Sequence, residues 1–239
     1  MTRLRPEERL IVALDAPSVQ HALALARRLR GTVKTVKIGS ILFTAAGPDV
    51  LRRVRALGFG VMLDLKFHDI PHTVELSCRA AVHHRVSLLT VHACGEPAML
   101  EAAASGVRQE ARRLGVARPL VFGVTVLTSV AGASTAKTRA EVLRRARTAV
   151  AAGCDGVVAS AQEAKVLRAR FGRRLRIICP GIRPAQSAGR DDQRRVSTPA
   201  AALADGADWL VVGRPITGAA NPRAAARMIL HEMEGVYGC

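Results

Sequence analysis

Two carboxylates and one lysine lie close together in the segment VMLDLKFHDIPHTV, as Asp64, Lys66 and Asp69. Flanking carboxylates favour the charged form of a lysine, even where burial opposes it. An ammonium held in this way stabilises negative charge as it develops on a neighbouring carbanion. The spacing therefore predicts a catalytic charge cluster, although an ion pair that serves only the fold is the alternative.

Asp64 and Lys66 belong to the apolar segment GVMLDLK (60–66), which is typical of a buried strand. Side chains alternate along a strand, so Asp64 and Lys66 share one face with Met62, and the apolar residues between them face the other way. A buried carboxylate and ammonium are costly unless they pair and find further partners. Candidates to complete an alternating network are Asp15, Lys37 and Asp69.

The elements that position these residues follow from hydrophobic periodicity. Short apolar segments alternate eight times with longer Ala-, Leu- and Arg-rich segments of helical period. We predict strands at 10–16, 35–39, 60–66, 87–93, 120–126, 156–160, 175–181 and 209–215. Helix starts are predicted at Ser18, Pro71, Pro97, Thr138 and Pro222.

Eight βα units in 239 residues leave no segment for a second domain. The sequence thus predicts an α/β fold in which residues 1–239 form a single (β/α)8 barrel. A doubly wound open sheet is the second choice. It would call for a Gly-x-Gly-x-x-Gly turn after the first strand, where this chain has Asp15-Ala16-Pro17-Ser18.

In a (β/α)8 barrel the active site lies at the carboxyl ends of the strands. Asp15 ends the first predicted strand and Lys37 lies in the second, while Arg183 and Arg214 follow the seventh and eighth. The long polar connection at 182–197 is predicted to be a lid or binding loop, because long loops in compact domains are usually functional.

Composition limits the class of protein. The chain is 49% hydrophobic and 23% charged, which favours one large globular domain. It shows neither a secretory leader nor an apolar run of the roughly 20 residues that span a bilayer, so we expect a cytoplasmic protein without membrane contact. The five cysteines are widely spaced without a Cys-x-x-Cys, which argues against a disulfide framework and a zinc site.

The net charge of +17 raises the possibility of nucleic-acid binding. The arginines are, however, scattered over predicted helix faces, with few aromatic residues to stack on bases. We therefore interpret most of them as solvated helix surface and expect no nucleic-acid partner. A positive field would still help to attract an anionic metabolite.

Several segments of the chain together resemble one enzyme family. VMLDLKFHDIPHTV resembles the signature of orotidine 5'-monophosphate decarboxylases, Asp-x-Lys-x-x-Asp followed by Ile-Pro-x-Thr. Six further segments agree in order and spacing: VALDAP, VKIG, VTVLTS, CPGIRP, DDQRR and VVGRPIT. Seven ordered blocks across the whole chain make the resemblance specific, whereas Asp-x-Lys-x-x-Asp alone would be weak.

The resemblance implies roles for the charge cluster. Lys66 would protonate C6 of the pyrimidine as carbon dioxide leaves, and Asp64 would lie against the substrate carboxylate. Lys37 and Asp69 would complete the array. No metal and no organic cofactor would be needed.

It also implies a substrate-binding set and a homodimer with shared sites. Asp69, Ile70 and Thr73 would reach into the neighbouring subunit's site. The remaining positions would bind the nucleotide: Asp15 and Lys37 at the ribose hydroxyls, Thr128 at the pyrimidine edge, and Arg183, Gln193, Gly213 and Arg214 on the phosphate side.

Two histidines stay open. His92, at the end of the fourth predicted strand, either lines the pocket or packs in the core. His68 either tunes the cluster or packs at the turn after the third strand. The nearest enzymatic alternative is a sister barrel family, the sugar-phosphate synthases and keto-gulonate-phosphate decarboxylases, which use magnesium to stabilise an enediolate.

Overall fold

The computed structural model describes residues 4–127, 136–184 and 197–236. Within these ranges the strands are β1 (Leu10–Ala13), β2 (Thr35–Gly39), β3 (Gly60–Phe67), β4 (Leu88–His92), β5 (Leu120–Val124), β6 (Gly156–Val158), β7 (Arg176–Cys179) and β8 (Trp209–Val212). All eight pair in parallel and in chain order, and β8 pairs with β1. This closed barrel confirms the predicted (β/α)8 fold.

Helices separate the strands. In the described ranges they are α1 (Pro6–Arg9), α2 (Val19–Leu29), α3 (Ser40–Ala46), α4 (Asp49–Ala56), α5 (Pro71–His83), α6 (Pro97–Arg113), α7 (Ala136–Ala151), α8 (Ala161–Phe171), α9 (Pro199–Ala204), α10 (Arg214–Thr217) and α11 (Pro222–Glu234). None of these helices is long and apolar enough to cross a bilayer.

Local chemistry sets several helix starts. The Ser18 hydroxyl accepts a hydrogen bond from His21 N, and the Asn221 side chain accepts one from Ala224 N. Proline occupies the first turn of α5, α6 and α11, where its missing N–H costs no helical hydrogen bond. The predicted start at Thr138 is late, because α7 already includes Ala136.

Apolar residues form two clusters. The larger fills the space between the barrel and the helices, and the smaller fills the barrel interior with Ile11, Met62, Phe122, Ile178 and their neighbours. At the amino ends of the strands Trp209 packs edge-on against Phe122, with ring centroids 5.9 Å apart. Apolar side chains thus fill the amino-terminal part of the barrel interior, and a cavity lies at the carboxyl ends of the strands.

Candidate active site

The cavity at the carboxyl ends of the strands has a volume of about 520 Å³, in the range of small-molecule sites. Its floor is apolar and comes from side chains of the barrel interior, namely Met62, Val124, Val158 and Val211. Six charged side chains stand around its wall: Asp15, Lys37, Asp64, Lys66, Arg183 and Arg214. Such a cavity holds a ligand that has both an apolar face and charged groups.

Four of these side chains form a row of alternating charge along β1 to β3. Lys37 Nζ lies 2.9 Å from Asp15 Oδ1 and 3.4 Å from Asp64 Oδ2. Lys66 Nζ lies 2.9 Å from the same Asp64 oxygen. The structure therefore brings together Asp15, Lys37, Asp64 and Lys66, in the order acid, base, acid, base.

Asp64 is the most enclosed carboxylate of this row, with a side chain 11% exposed. Burial by itself would raise the pKa of Asp64. The charges of Lys37 and Lys66 and hydrogen bonds from Lys66 and Thr90 outweigh burial, and the pKa stays below its ordinary value. Asp64 is consequently ionised at neutral pH and shared by two ammonium groups.

Gly39, at the end of β2, leaves room for the side chains of Asp15 and Lys37, the first two members of the row. A Cβ atom at this position would lie 2.9 Å from Lys37 Nζ and 3.1 Å from Asp15 Oδ1. Any larger residue would push against the pair. The absence of a side chain at Gly39 therefore leaves the space that the pair of Lys37 and Asp15 occupies.

Lys66 has an unusual backbone, with a φ of 52° in the left-handed region. The pairing of β3 with β4 shifts register between Leu63 and Phe67, the stretch that contains Lys66. Its backbone N–H donates to the Thr90 hydroxyl at 3.0 Å. The alternation of side chains along a strand predicts which face carries Lys66. It does not predict this irregularity in β3.

Two arginines of the cavity wall follow β7 and β8, and β8 pairs with β1 in the closed barrel. Arg183 is buried, and its Nη1 donates to Ile182 O at 2.9 Å. Arg214 begins α10 directly after Gly213, and both residues line the cavity. The row holds equal numbers of acids and lysines, so Arg183 and Arg214 make cationic side chains the majority among the described charged residues of the cavity wall, which suits an anionic ligand.

Asp69, Ile70 and Thr73 lie apart from this row in the single chain. All three are exposed, and the Asp69 carboxylate accepts a hydrogen bond from Ile70 N at 2.7 Å. None of them lines the cavity. They stand instead on the outer surface of the loop after β3 and the first turn of α5.

Two candidate residues and most of one segment fall outside the described residues. Thr128 belongs to the undescribed range 128–135, and Gln193 to the range 185–196. The two ends of the predicted lid are described: Ile182 forms a bridge with Ser197, and Arg183 N donates to Ser197 O at 2.9 Å. The segment thus leaves and rejoins the barrel beside a cavity arginine.

Sequence reasoning missed Thr90. It is fully buried, and its hydroxyl donates to Asp64 Oδ1 at 3.0 Å. The signal was present, since alternation along β4 places Thr90 on the inward face with Leu88.

The two open histidines contact each other. The rings of His68 and His92 lie 5.6 Å apart between centroids. His92 is half-buried but does not line the cavity. Burial, with smaller effects from His68 and Lys66, lowers the pKa of His92. His92 therefore packs against His68, in surroundings that favour its neutral form.

Together the closed barrel and the charged cavity at its carboxyl ends define a (β/α)8-barrel enzyme. A family model described as "Orotidine 5'-phosphate decarboxylase / HUMPS family" matches residues 8–229. The chain belongs to this family.

Individual relatives agree with this assignment. A protein named orotidine 5'-phosphate decarboxylase from Nitratidesulfovibrio vulgaris (strain DP4) is 48% identical over 231 residues, covering 95% of this chain and 98% of the relative. One of the same name from Moorella thermoacetica is 46% identical over 243 residues, covering 99% and 96%. The crystal structure of orotidine 5'-phosphate decarboxylase from Lactobacillus acidophilus superposes with a TM-score of 0.82 at 33% identity, covering 95% and 99%.

Proposed function

We propose that this enzyme decarboxylates orotidine 5'-monophosphate to uridine 5'-monophosphate, the last step of de novo UMP synthesis, without a metal or organic cofactor. The observation that carries the proposal is the row Asp15–Lys37–Asp64–Lys66 at the wall of a cavity with an apolar floor. Membership of the family and the names of the relatives support it.

The cavity suits each part of this substrate. A pyrimidine ring fits the apolar floor, ribose hydroxyls can bond to Asp15 and Lys37, and the 5'-phosphate matches the positive side at Arg183 and Arg214. Gly213 lies beside Arg214 on that side. Thr128 and Gln193 are proposed to contact the pyrimidine edge and the phosphate.

The reaction requires a proton donor beside C6. When the bond from C6 to the carboxylate breaks, carbon dioxide leaves and the electron pair remains in the ring plane, where it is poorly delocalised. The Lys66 ammonium transfers a proton to this carbanion and is reprotonated from solvent afterwards. Asp64 accepts a hydrogen bond from Lys66 Nζ at 2.9 Å and so holds this group in place before the transfer.

Repulsion between Asp64 and the substrate carboxylate is too small to drive catalysis alone. Two like charges about 4 Å apart repel by roughly 4 kcal/mol at an effective dielectric of about 20. Enzymes lower barriers by about 8 to 23 kcal/mol. Binding energy from the distant phosphate is therefore needed to hold the ring against the row.

Residues 182–197 are proposed to supply part of that binding energy by closing over the phosphate. The bridge between Ile182 and Ser197 anchors both ends of the segment next to the buried Arg183. A loop anchored in this way can cover the cavity and exclude water without disturbing the barrel.

A homodimer is proposed to complete the site. Ile70 is 65% exposed and Leu76 is 49% exposed on the same side of the chain that presents Asp69 and Thr73. Exposed apolar residues next to an exposed carboxylate suit a subunit contact that delivers Asp69 to the neighbouring cavity. We further propose that the enzyme works in the cytoplasm.

The direct test mixes purified protein with orotidine 5'-monophosphate in excess EDTA and follows the pyrimidine absorbance and the release of carbon dioxide. Conversion to uridine 5'-monophosphate is expected. Conversion that stops in EDTA and returns with magnesium would contradict a reaction that needs no metal. Absence of conversion in either condition contradicts the proposal.

A further inference from the structure

Thr90, on the neighbouring strand β4, links the last two residues of the charged row, Asp64 and Lys66. Its hydroxyl donates to Asp64 Oδ1 at 3.0 Å and accepts from Lys66 N at 3.0 Å. The residue has no exposed surface, so water cannot replace either bond without a rearrangement. Thr90 does not line the cavity and cannot touch the substrate in this arrangement.

The two bonds do different work. The bond to Oδ1 leaves Oδ2 of Asp64 for the ammonium groups of Lys37 and Lys66. The bond from Lys66 N gives a backbone donor its partner. This donor lies in the irregular part of β3, where the pairing with β4 shifts register and the φ of Lys66 is left-handed. One hydroxyl therefore fixes both the carboxylate rotamer and the backbone that carries the lysine.

We propose that Thr90 is a positioning residue for the decarboxylation, acting through the orientation of Asp64 and Lys66 rather than by contact with the substrate. This inference rests on the proposed function, since the effect is read from that reaction. The inference adds one specific requirement to the proposed function, namely a hydroxyl group at position 90.

The charges that face Asp64 set the expected pH dependence. Lys37 on β2 and Lys66 on β3 are in contact with it, His92 on β4 acts over a longer distance, and Arg183 and Arg214 line the same cavity. Asp15 faces it only through Lys37. Thr90→Val removes none of these charges, so a change in the titration of Asp64 reports the lost hydroxyl and any movement of Lys66 that follows from it.

Thr90→Val keeps the shape and burial of the side chain and removes the hydroxyl. We expect kcat to fall about 10- to 100-fold, the range of a hydrogen bond to a charged group, while KM changes little. The acidic limb of the pH profile of kcat should move upward, because Asp64 loses a bond that lowers its pKa. Thr90→Ser should restore both values.

Thr125→Val is the matched control. Thr125 is also a buried threonine, and its hydroxyl donates to the backbone of Val158, away from the charged row. Any general cost of removing a buried hydroxyl should appear in both variants, but only Thr90→Val should shift the acidic limb. If Thr90→Val does not fold, Thr90→Ala and Thr90→Ser provide the same comparison.

Three results would overturn the proposal. In the first, the unmutated enzyme is active and the Thr90→Val variant has the same kcat and the same acidic limb of its pH profile. The second is an equal loss in Thr90→Val and Thr125→Val with no shift of that limb, which would indicate a structural role. The third is an unmutated protein that does not convert the nucleotide, which would remove the proposed function as well.

Discussion

Lys66 Nζ lies 2.9 Å from Asp64 Oδ2, and the same oxygen lies 3.4 Å from Lys37 Nζ. One carboxylate oxygen thus organises two ammonium groups in a mostly enclosed position. A buried arrangement of this kind costs desolvation and is retained where its charges are used. The following predictions test how these charges and their surroundings work.

Arg214→Ala should lower kcat/KM by about 100-fold or more, because a charge-assisted contact to the phosphate holds the ring against the row. The protein should remain folded, since Arg214 is exposed at the rim of the cavity. Arg227→Ala, at an exposed position on α11, is the matched control. If Arg214→Ala keeps a kcat/KM close to that of the unmutated enzyme, measured with substrate well below saturation, the proposed contact between Arg214 and the phosphate is wrong.

Gly39→Ala should impair the enzyme without unfolding it. The added Cβ would press on Lys37 Nζ and Asp15 Oδ1, while the backbone of Gly39, with a φ of −96°, suits alanine. We expect kcat/KM to fall about tenfold, equivalent to the loss of one modest interaction. Gly235→Ala, where the added Cβ would make only an ordinary contact at 3.7 Å, should change neither kinetics nor Tm. Equal kinetics for both variants would contradict the steric role of Gly39.

Subunit mixing tests the shared site. Lys66→Ala and Asp69→Ala homodimers should each be inactive or nearly so. After the two are mixed, unfolded and refolded together, the hybrid dimer should contain one intact cavity, with Lys66 from one subunit and Asp69 from the other. Recovered activity is expected, with the dimer verified by light scattering. No recovery, with hybrids present, would mean that Asp69 serves its own chain.

Glu110→Gln should change the pH dependence of stability rather than activity. The Glu110 side chain bonds to Arg113, Arg79 and His83 at 2.5, 3.0 and 2.7 Å. Hydrogen bonds from Arg113, and then from Arg79 and His83, outweigh desolvation and lower the pKa of Glu110 to about 2.

A lowered folded-state pKa contributes stability above the ordinary value of 4.5, and this stability is lost as pH falls towards about 2. The Tm of Glu110→Gln should therefore lie below that of the unmutated protein at pH 7, and the gap should narrow between pH 4.5 and 2. Glu101→Gln, exposed on the same helix, is the control. A gap that stays constant over this range would show that the carboxylate charge is not the cause.

The fold could be predicted because hydrophobic periodicity and the count of βα units act over the whole chain. All eight predicted strand segments overlap an observed strand, but most strands end earlier than predicted, and β3 runs one residue further, to Phe67. The first segment was predicted at 10–16, whereas β1 ends at Ala13. The polar residues that follow a parallel strand leave the ladder to form the loops of the site, and apolar pattern alone does not mark that point.

The row of alternating charge was accessible from sequence through residue type, strand alternation and position at the strand ends. The inward face of Thr90 was also accessible through alternation along β4, but its contacts with Asp64 and Lys66 N and the left-handed backbone of Lys66 were not. Both depend on how β3 and β4 pair, and a register shift between two strands has no signal in either strand alone. The role of Asp69 rests on the proposed homodimer, because within one chain its carboxylate is exposed and lies outside the cavity.

The central claim, that Lys66 donates the proton to C6, is tested most directly by the turnover of Lys66→Ala at saturating orotidine 5'-monophosphate in EDTA. Lys34→Ala, at an exposed position outside the cavity, is the control. We predict that Lys66→Ala loses about 100- to 10,000-fold in kcat, the typical contribution of a positioned proton donor, while it keeps the fold and Lys34→Ala keeps full activity. A kcat for Lys66→Ala within a few-fold of the unmutated enzyme would contradict the account.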